Sequence, residues 1–227
     1  MTPNSLNNVQ LDTLCGILDR GSAELSAVFE MIFGQPAEQL IVAPQMCPIV
    51  ELGRKFASQE LVTVHANFSG DLEGAFLLLQ KELDFPGMRN AIEVAVSAGN
   101  NAPDPTDFLV RDWANQSLYD DAEKAGVSDA DLKDTLGELG NVILGSYLSA
   151  IYAQVGLATF QDLPEANIQD RERAELRAAI EAYGQEAGSA FLSEISCTIG
   201  GEKTRMWLVL FLRHDGYQKL LERLNSA

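Results

Sequence analysis

Basic residues are scarce in this chain, and their scarcity excludes a class of partner. Lysine and arginine number 16 against 33 aspartates and glutamates, which gives a net charge of -17. A surface of that sign repels nucleic acid and anionic lipid, and no basic tract offsets it. The sequence therefore predicts a protein that does not bind nucleic acid.

Histidine and cysteine are also few. Cys15, Cys47 and Cys197 lie far apart and form no C-x-x-C pair, which favours reduced, mostly buried thiols over disulfides or a zinc site. His65 and His214 are the only histidines, so neither a histidine-based metal centre nor a Ser-His-Asp triad is expected. We therefore predict that the protein has no metal or other cofactor of its own.

Long apolar runs are missing as well. No stretch reaches the length of a membrane span, and the first ten residues lack the charged and apolar regions of a signal peptide. The apolar content of 46% is nevertheless enough for an ordinary buried core. We expect a globular, cytoplasmic protein without membrane insertion.

The most informative stretch of the sequence is a long predicted helix. It begins at Ser128, where a capping-box pattern starts, and it ends near Gly156. One face of the helix is apolar, so we expect that face to pack on the core. Its residues are Leu132, Leu136, Leu139, Ile143, Tyr147 and Ala150.

The opposite face of this helix carries a polar stripe, formed by Asp134, Glu138 and Asn141. At 3.6 residues per turn their side chains fall within roughly 60° of one another. Gly145 continues the stripe one turn later. A glycine inside a helix costs on the order of 1 kcal/mol, so we expect another backbone or a partner protein to come close to Gly145. Taken by itself, such a face is also what any solvated helix shows.

The order of predicted elements occurs twice, at an offset of about 122 residues. Each half begins with a long helix, at about 8–33 or 129–154. A short strand that ends at Pro44 or Pro164 follows, and we expect each proline to open a shorter helix. Two strands around a glycine turn and a last helix complete each half.

These repeats predict an α+β fold with pseudo-twofold symmetry, in which an antiparallel-rich sheet carries two long helices on its surface. We expect a single domain, 1–227, built of two repeats at about 8–97 and 129–225. An acidic linker at about 98–127 would join them, as a solvated connector or, alternatively, as a docking element.

The polar stripe is also part of a longer pattern. Asp134 is followed by Glu138 after three residues and by Asn141 after two more, and 22 residues then separate Asn141 from Pro164. This pattern resembles the signature of the CheC/CheX/FliY phosphatases, whose first position is Asp or Ser, and every specified position matches. The run L-G-N-V-I-L-G is similar to the GN-rich run of these proteins. The resemblance is closest to the CheC-like members and covers nearly the whole chain.

The resemblance implies a CheC-like fold and an activity. The activity is removal of the aspartyl phosphate from a CheY-type response regulator, in chemotaxis or two-component signalling. The regulator brings Mg²⁺ and a conserved lysine, so Asn141 would orient the attacking water and Glu138 would bind that lysine. Asp134, Gly145 and Pro164 would support or shape the docking surface. A CheD-type protein, seen with some members, is a second candidate partner.

The first half carries a degenerate version of the stripe. Asp12 takes the place of Asp134, but Gly16 stands where the glutamate would be and Asp19 where the asparagine would be. An anion in place of the amide would set negative charge against a phosphoryl group. We therefore expect the first helix to be structural.

Two other classes of function stay open. One is a non-catalytic adaptor that binds a response regulator in a signalling array or at a flagellar switch. Intact Glu138 and Asn141 argue against it, because a pure binder need not keep both. The other is a structural protein that has the signature by chance, which the repeat and the proline spacing disfavour.

Overall fold

The computed structural model describes residues 8–23, 25–33, 37–99, 128–170, 174–187, 189–199 and 201–225. Its first half contains α1 (Asn8–Ala23), α2 (Leu25–Phe33), β1 (Ala37–Pro48), α3 (Ile49–Lys55), β2 (Leu61–Gly70), β3 (Gly74–Lys81) and α4 (Phe85–Gly99). Its second half contains α5 (Asp129–Val155), β4 (Thr159–Gln161), β5 (Glu165–Asp170), α6 (Ala174–Ala187), β6 (Ser189–Ile199), β7 (Glu202–Leu212) and α7 (His214–Leu224).

One antiparallel sheet combines strands of both halves. Its order is β1-β6-β7-β3-β2-β4, and β5 pairs with β2 beside β4. The two halves of the chain contribute equivalent strands: β7 corresponds to β3, β6 to β2, and β1 to the pair of β4 and β5. The order of equivalent strands is therefore the same from either edge of the sheet. The predicted α+β class and pseudo-twofold arrangement are confirmed. The division into one domain of two repeats stays a prediction, and residues 100–127 of the predicted linker lie outside the described residues.

The two edge strands show why one sequence-based expectation was wrong. Pro44 lies where the pairing of β1 with β6 shifts register, between Val42 and Gln45. Pro164 lies between β4 and β5, which pair with successive parts of β2. Because proline cannot donate a ladder hydrogen bond, each proline interrupts an edge strand. Neither opens a helix: α3 and α6 begin further along the chain.

Helices cover both faces of the sheet and enclose two apolar clusters. The larger cluster contains residues of α1, α2, α4, α5 and α7, whereas the smaller one contains residues of α3 and α6. The predicted apolar face of α5 contributes to the larger cluster: Leu132, Leu136, Leu139, Ile143 and Tyr147 are buried, and Ala150 packs against them. The second predicted long helix is thus confirmed, and the first corresponds to α1 and α2.

The ends of α5 follow from its sequence. The side chain of Ser128 accepts a hydrogen bond of 3.2 Å from the backbone N–H of Asp131, whose carboxylate accepts one of 3.2 Å from the backbone N–H of Ser128. This reciprocal pair is the predicted capping box. At the other end Gly156 adopts a φ of 70°, in the left-handed region that favours glycine.

Among the helices that the structure describes, none combines the length and the apolar character needed to cross a membrane.

Candidate functional site

The polar stripe faces solvent on α5. Asp134 and Glu138 are exposed, and Asn141 is half-buried. Among the described residues, Glu138 has no ion-pair partner. The structure thus presents an unpaired carboxylate and a partly enclosed amide on one accessible face, about one helical turn apart.

Two glycines of α5 bring this face close to the sheet. A Cβ atom added at Gly140 would stand 2.6 Å from Cγ1 of Val64, a buried residue of β2, and 3.6 Å from Cβ of Pro164. A Cβ atom at Gly137 would stand 3.4 Å from the carbonyl oxygen of Pro164. A side chain at Gly140 would therefore force the helix and the strand apart. The close approach fixes the height of the polar stripe above the sheet.

Pro164 is the last residue of the sequence pattern, and in the fold it lies beside the turns of α5 that carry Glu138 and Asn141. It lies half-buried against Gly137 and Gly140, the residues that flank Glu138 and Asn141 in the chain. The adjacent Leu163 is 86% exposed, so the turn between β4 and β5 forms part of the rim of this surface. The spacing of 22 residues therefore places the proline beside the two glycines of the helix.

Gln161 is a polar residue of the site that the sequence analysis missed. Its Nε2 donates a hydrogen bond to the side-chain oxygen of Asn141 and a second one, of 3.3 Å, to the backbone oxygen of Asn141. Gln161 ends β4 and pairs with the buried Phe68 of β2, so its side chain shares the sheet face that α5 covers. The signal that could have found it is this strand register, which a single sequence does not reveal.

Gly145 has a different neighbour from the one expected. A Cβ atom added there would lie 3.8 Å from the Oε1 atom of Gln161, which is an ordinary van der Waals distance. The close approach of α5 to a strand occurs five residues earlier, at Gly140, and the approach of another backbone or a partner protein to Gly145 stays a prediction. The Gln161 amide therefore lies beside Gly145, at a distance that would also accommodate an alanine there.

The degenerate stripe of the first half lies on α1, which packs beside α5. Asp12 and Asp19 are exposed, and a Cβ atom added at Gly16 would meet nothing within 4 Å. The neighbouring Arg20 donates a hydrogen bond of 2.9 Å to Gln154 of α5. This helix is therefore in contact with the site helix, and its own stripe presents two carboxylates and no amide.

The described residues contain no group of three or more His, Cys, Asp or Glu side chains arranged to hold a metal ion. Cys15, Cys47 and Cys197 form no disulfide bond. Burial raises the pKa of Cys197 to about 12, and burial followed by the nearby Asp19 and Asp12 raises the pKa of the Cys15 thiol. Thiols held in the protonated form are poor nucleophiles, so neither one provides a basis for covalent catalysis.

The sheet order and the two neighbouring long helices recur in solved structures of other proteins, over nearly the whole chain. The structure is similar to that of Thermotoga maritima FliY, with a TM-score of 0.66 and 15% identity over 98% of this chain and 99% of that chain. It is also similar to the FliM middle domain from H. pylori, with a TM-score of 0.56 and 13% identity over 96% and 99% of the two chains.

A third similar structure is a chain of the FliG–FliM complex from H. pylori, with a TM-score of 0.57 and 12% identity over 94% of this chain and 100% of that chain. No protein-family model matches the sequence, and no curated protein matches it either. At these identities the likeness concerns the fold, which agrees with the fold that the sequence pattern implied.

Proposed function

We propose that this protein is a phosphatase that hydrolyses the aspartyl phosphate of a CheY-type response regulator. The observation that carries the proposal is the arrangement of Glu138, Asn141 and Pro164. The carboxylate and the amide share one accessible face of α5, and Pro164 lies against the same turns of the helix. This is the residue pattern of the CheC/CheX/FliY phosphatases, on a fold similar to that of FliY.

The chemistry required of such a site is modest, which suits the few groups present. An acyl phosphate has a good leaving group, and we expect the regulator to supply Mg²⁺ and a lysine that neutralise charge on the transferring phosphoryl group. The oxygen of water forms a bond to phosphorus while the bond between phosphorus and the aspartyl oxygen breaks. The carboxylate leaves with the electron pair, and the protons of the water pass to inorganic phosphate and solvent. This chain needs chiefly to position the water.

Asn141 is suited to that positioning role. Its amide carries no charge that would repel a phosphoryl group, and the hydrogen bond that its side-chain oxygen accepts from Gln161 already restricts its rotamer before a substrate arrives. A group held in the productive geometry loses less conformational freedom in the transition state. Asn141 is therefore the proposed catalytic residue.

Glu138 is the proposed docking residue. Its exposed and unpaired carboxylate stands about one turn before Asn141, where it can form a charge-assisted hydrogen bond with the regulator's lysine. That bond would set the register between α5 and the phosphorylated aspartate. Asp134 would orient the partner, and Pro164 with the exposed Leu163 would shape the rim of the surface.

An adaptor that binds a response regulator without hydrolysis is the second candidate. The observation in its favour is the similarity to the FliM middle domain and to a chain of the FliG–FliM complex. The two candidates differ in one measurable respect, because an adaptor would bind a phosphorylated receiver and leave its half-life unchanged.

The test compares wild type with Asn141→Ala on a receiver domain labelled with radioactive acetyl phosphate. We expect Asn141→Ala to slow loss of label by on the order of 10², as for removal of one group that acts in the transition state. Binding to the receiver activated with beryllofluoride should be retained. Gln154→Ala, an exposed change on the same helix away from the stripe, is the matched control and should behave as wild type. Wild-type turnover by Asn141→Ala would remove Asn141 from the mechanism.

A further inference from the structure

We infer that Gln161 is a positioning residue that fixes which end of the Asn141 amide faces the phosphoryl group. The consequence for turnover rests on the proposed phosphatase function, whereas the orientation of the Asn141 amide does not depend on it. In this arrangement Asn141 presents its Nδ2 group, a hydrogen-bond donor, toward solvent and the docked regulator. The assignment follows from three observations about Gln161, Asn141 and Gly145.

The first observation fixes the orientation of Gln161. A backbone carbonyl oxygen can only accept hydrogen bonds, and the backbone oxygen of Asn141 lies 3.3 Å from Nε2 of Gln161. The nitrogen end of the Gln161 amide must therefore point at Asn141. Its Oε1 end then lies on the side of Gly145, in agreement with the 3.8 Å between Oε1 and the Cβ position of that glycine.

The second observation assigns the orientation of the Asn141 amide from that of Gln161. The same Nε2 group donates to the side-chain oxygen of Asn141. The oxygen and nitrogen ends of a side-chain amide are assigned from its hydrogen-bond network. Here the assignment starts from a backbone oxygen, which is an acceptor in any case. Because Oδ1 of Asn141 is held by Gln161, Nδ2 is the end of the amide that stays available to a ligand.

The third observation is that the backbone around Gln161 is held on both sides. Gln161 itself pairs with Phe68 in the ladder between β4 and β2, and the backbone N–H of Asp162 donates a hydrogen bond of 2.9 Å to the oxygen of Asn67. The Gln161 side chain therefore extends from a fixed strand to a fixed helix. This makes the Gln161 side chain a link between β4 and α5.

The orientation has a chemical consequence. An outward Nδ2 group offers two N–H donors, one for the oxygen of the attacking water and one for a phosphoryl oxygen. Phosphoryl transfer passes through a loose transition state in which the water needs little prior deprotonation, so holding the water by its oxygen leaves its second lone pair free to attack phosphorus. A reversed amide would present an oxygen to the phosphoryl oxygens, and two acceptors repel each other.

Two substitutions test the inference on the full chain. Gln161→Met keeps the length of the side chain and removes its donor. Gln161→Glu replaces the donor with acceptors, so that Asn141 must turn Nδ2 inward to be satisfied. Gln154→Met is the matched control, because it makes the same change on α5 and removes a 2.9 Å hydrogen bond with Arg20 away from the stripe.

The kinetic readout is dephosphorylation of the acetyl-phosphate-labelled receiver at saturating and subsaturating concentrations. We expect Gln161→Met to lower kcat by about 10-fold or more while KM changes by less than about 2-fold, because a misplacement of about 1 Å at a reacting group costs on the order of 10²-fold. Gln161→Glu should lower kcat further, and Gln154→Met should match wild type. Wild-type kcat in Gln161→Met would overturn the inference.

A second readout does not depend on the proposed function. NMR of the Asn141 side-chain NH₂ group should show one fixed χ1 rotamer in wild type and in Gln154→Met, and rotamer averaging in Gln161→Met. Equal averaging in wild type and Gln161→Met would overturn the inference even if the protein is a phosphatase. If wild type fails to accelerate dephosphorylation although the Asn141 amide is fixed as described, the proposed function fails and the positional assignment stands.

Discussion

A single methyl group at Gly140 should separate the site helix from the sheet. In Gly140→Ala the new Cβ atom would stand 2.6 Å from Cγ1 of Val64 and 3.5 Å from its Cβ atom. Val64 has little room to move away. It is 2% exposed, its β-branched side chain is stiff at χ1, and its strand is paired on both sides, with Leu78 of β3 and Ala166 of β5.

Two opposing effects set the size of the change. Overpacking a core contact typically costs about 1–3 kcal/mol, and the fixed position of Val64 favours the upper part of that range. Alanine is a better helix former than glycine by up to about 1 kcal/mol. We therefore expect Gly140→Ala to lower the free energy of unfolding by about 1–2 kcal/mol, which corresponds to a fall in Tm of about 2–8 °C for a chain of this size.

Urea unfolding of Gly140→Ala and Gly16→Ala side by side is the assay. Gly16 is the matched control, since an added Cβ there meets nothing within 4 Å. Gly16→Ala should therefore gain up to about 1 kcal/mol from helix propensity alone. The double change Gly140→Ala/Val64→Ala should lose less stability than the sum of its single changes. Equal stabilisation by both alanines would refute the close approach of α5 to β2.

The remaining predictions concern the first helix and the thiols. If α1 is structural, Asp19→Ala should leave turnover near wild type and change the free energy of unfolding by no more than about 0.5 kcal/mol. Glu138→Ala should remove nearly all turnover. Residual activity of Glu138→Ala that disappears when Asp19 is also replaced would show that α1 is catalytic. Gly16→Glu/Asp19→Asn should create a weak second site, detectable as turnover restored in the Glu138→Ala background, and no restoration would mean that the completed stripe is insufficient. Cys197 should resist iodoacetamide at pH 8 in the folded protein, because burial raises its pKa to about 12 from an ordinary 9.0; rapid labelling under native conditions would contradict its burial. The same shift makes stability fall as pH rises from 9 toward 12, since the unfolded chain releases this proton first.

The sequence was sufficient to predict those features that depend on local chemistry. Ser128 and Gly156 are the caps at the two ends of α5, and capping depends on residues that are neighbours in the sequence. The burial of Leu139 and Ile143 follows from helical periodicity, and the pseudo-twofold sheet follows from the repeat of elements. In each case the signal lies within one element or in the order of elements along the chain.

Other features depend on strand register and could not be predicted. The hydrogen bonds between Gln161 and Asn141 exist because β4 pairs with the far end of β2, and the tight contact of Gly140 with Val64 depends on the height of α5 above that strand. Pro164 was misinterpreted as the start of a helix because proline is common both there and at interruptions of edge strands. Only the pairing of β5 with β2 distinguishes the two.

Multiple-turnover kinetics on phosphorylated receivers distinguishes a phosphatase from an adaptor. Each CheY-type receiver domain encoded in the same genome is phosphorylated with labelled acetyl phosphate, freed of excess donor and mixed with one tenth of its concentration of this protein in the presence of Mg²⁺. For at least one receiver we expect all of the label to be released as inorganic phosphate, well within the half-life of that receiver alone. A half-life that is unchanged for every receiver, including any that binds this protein, would overturn the proposed phosphatase function and favour the adaptor.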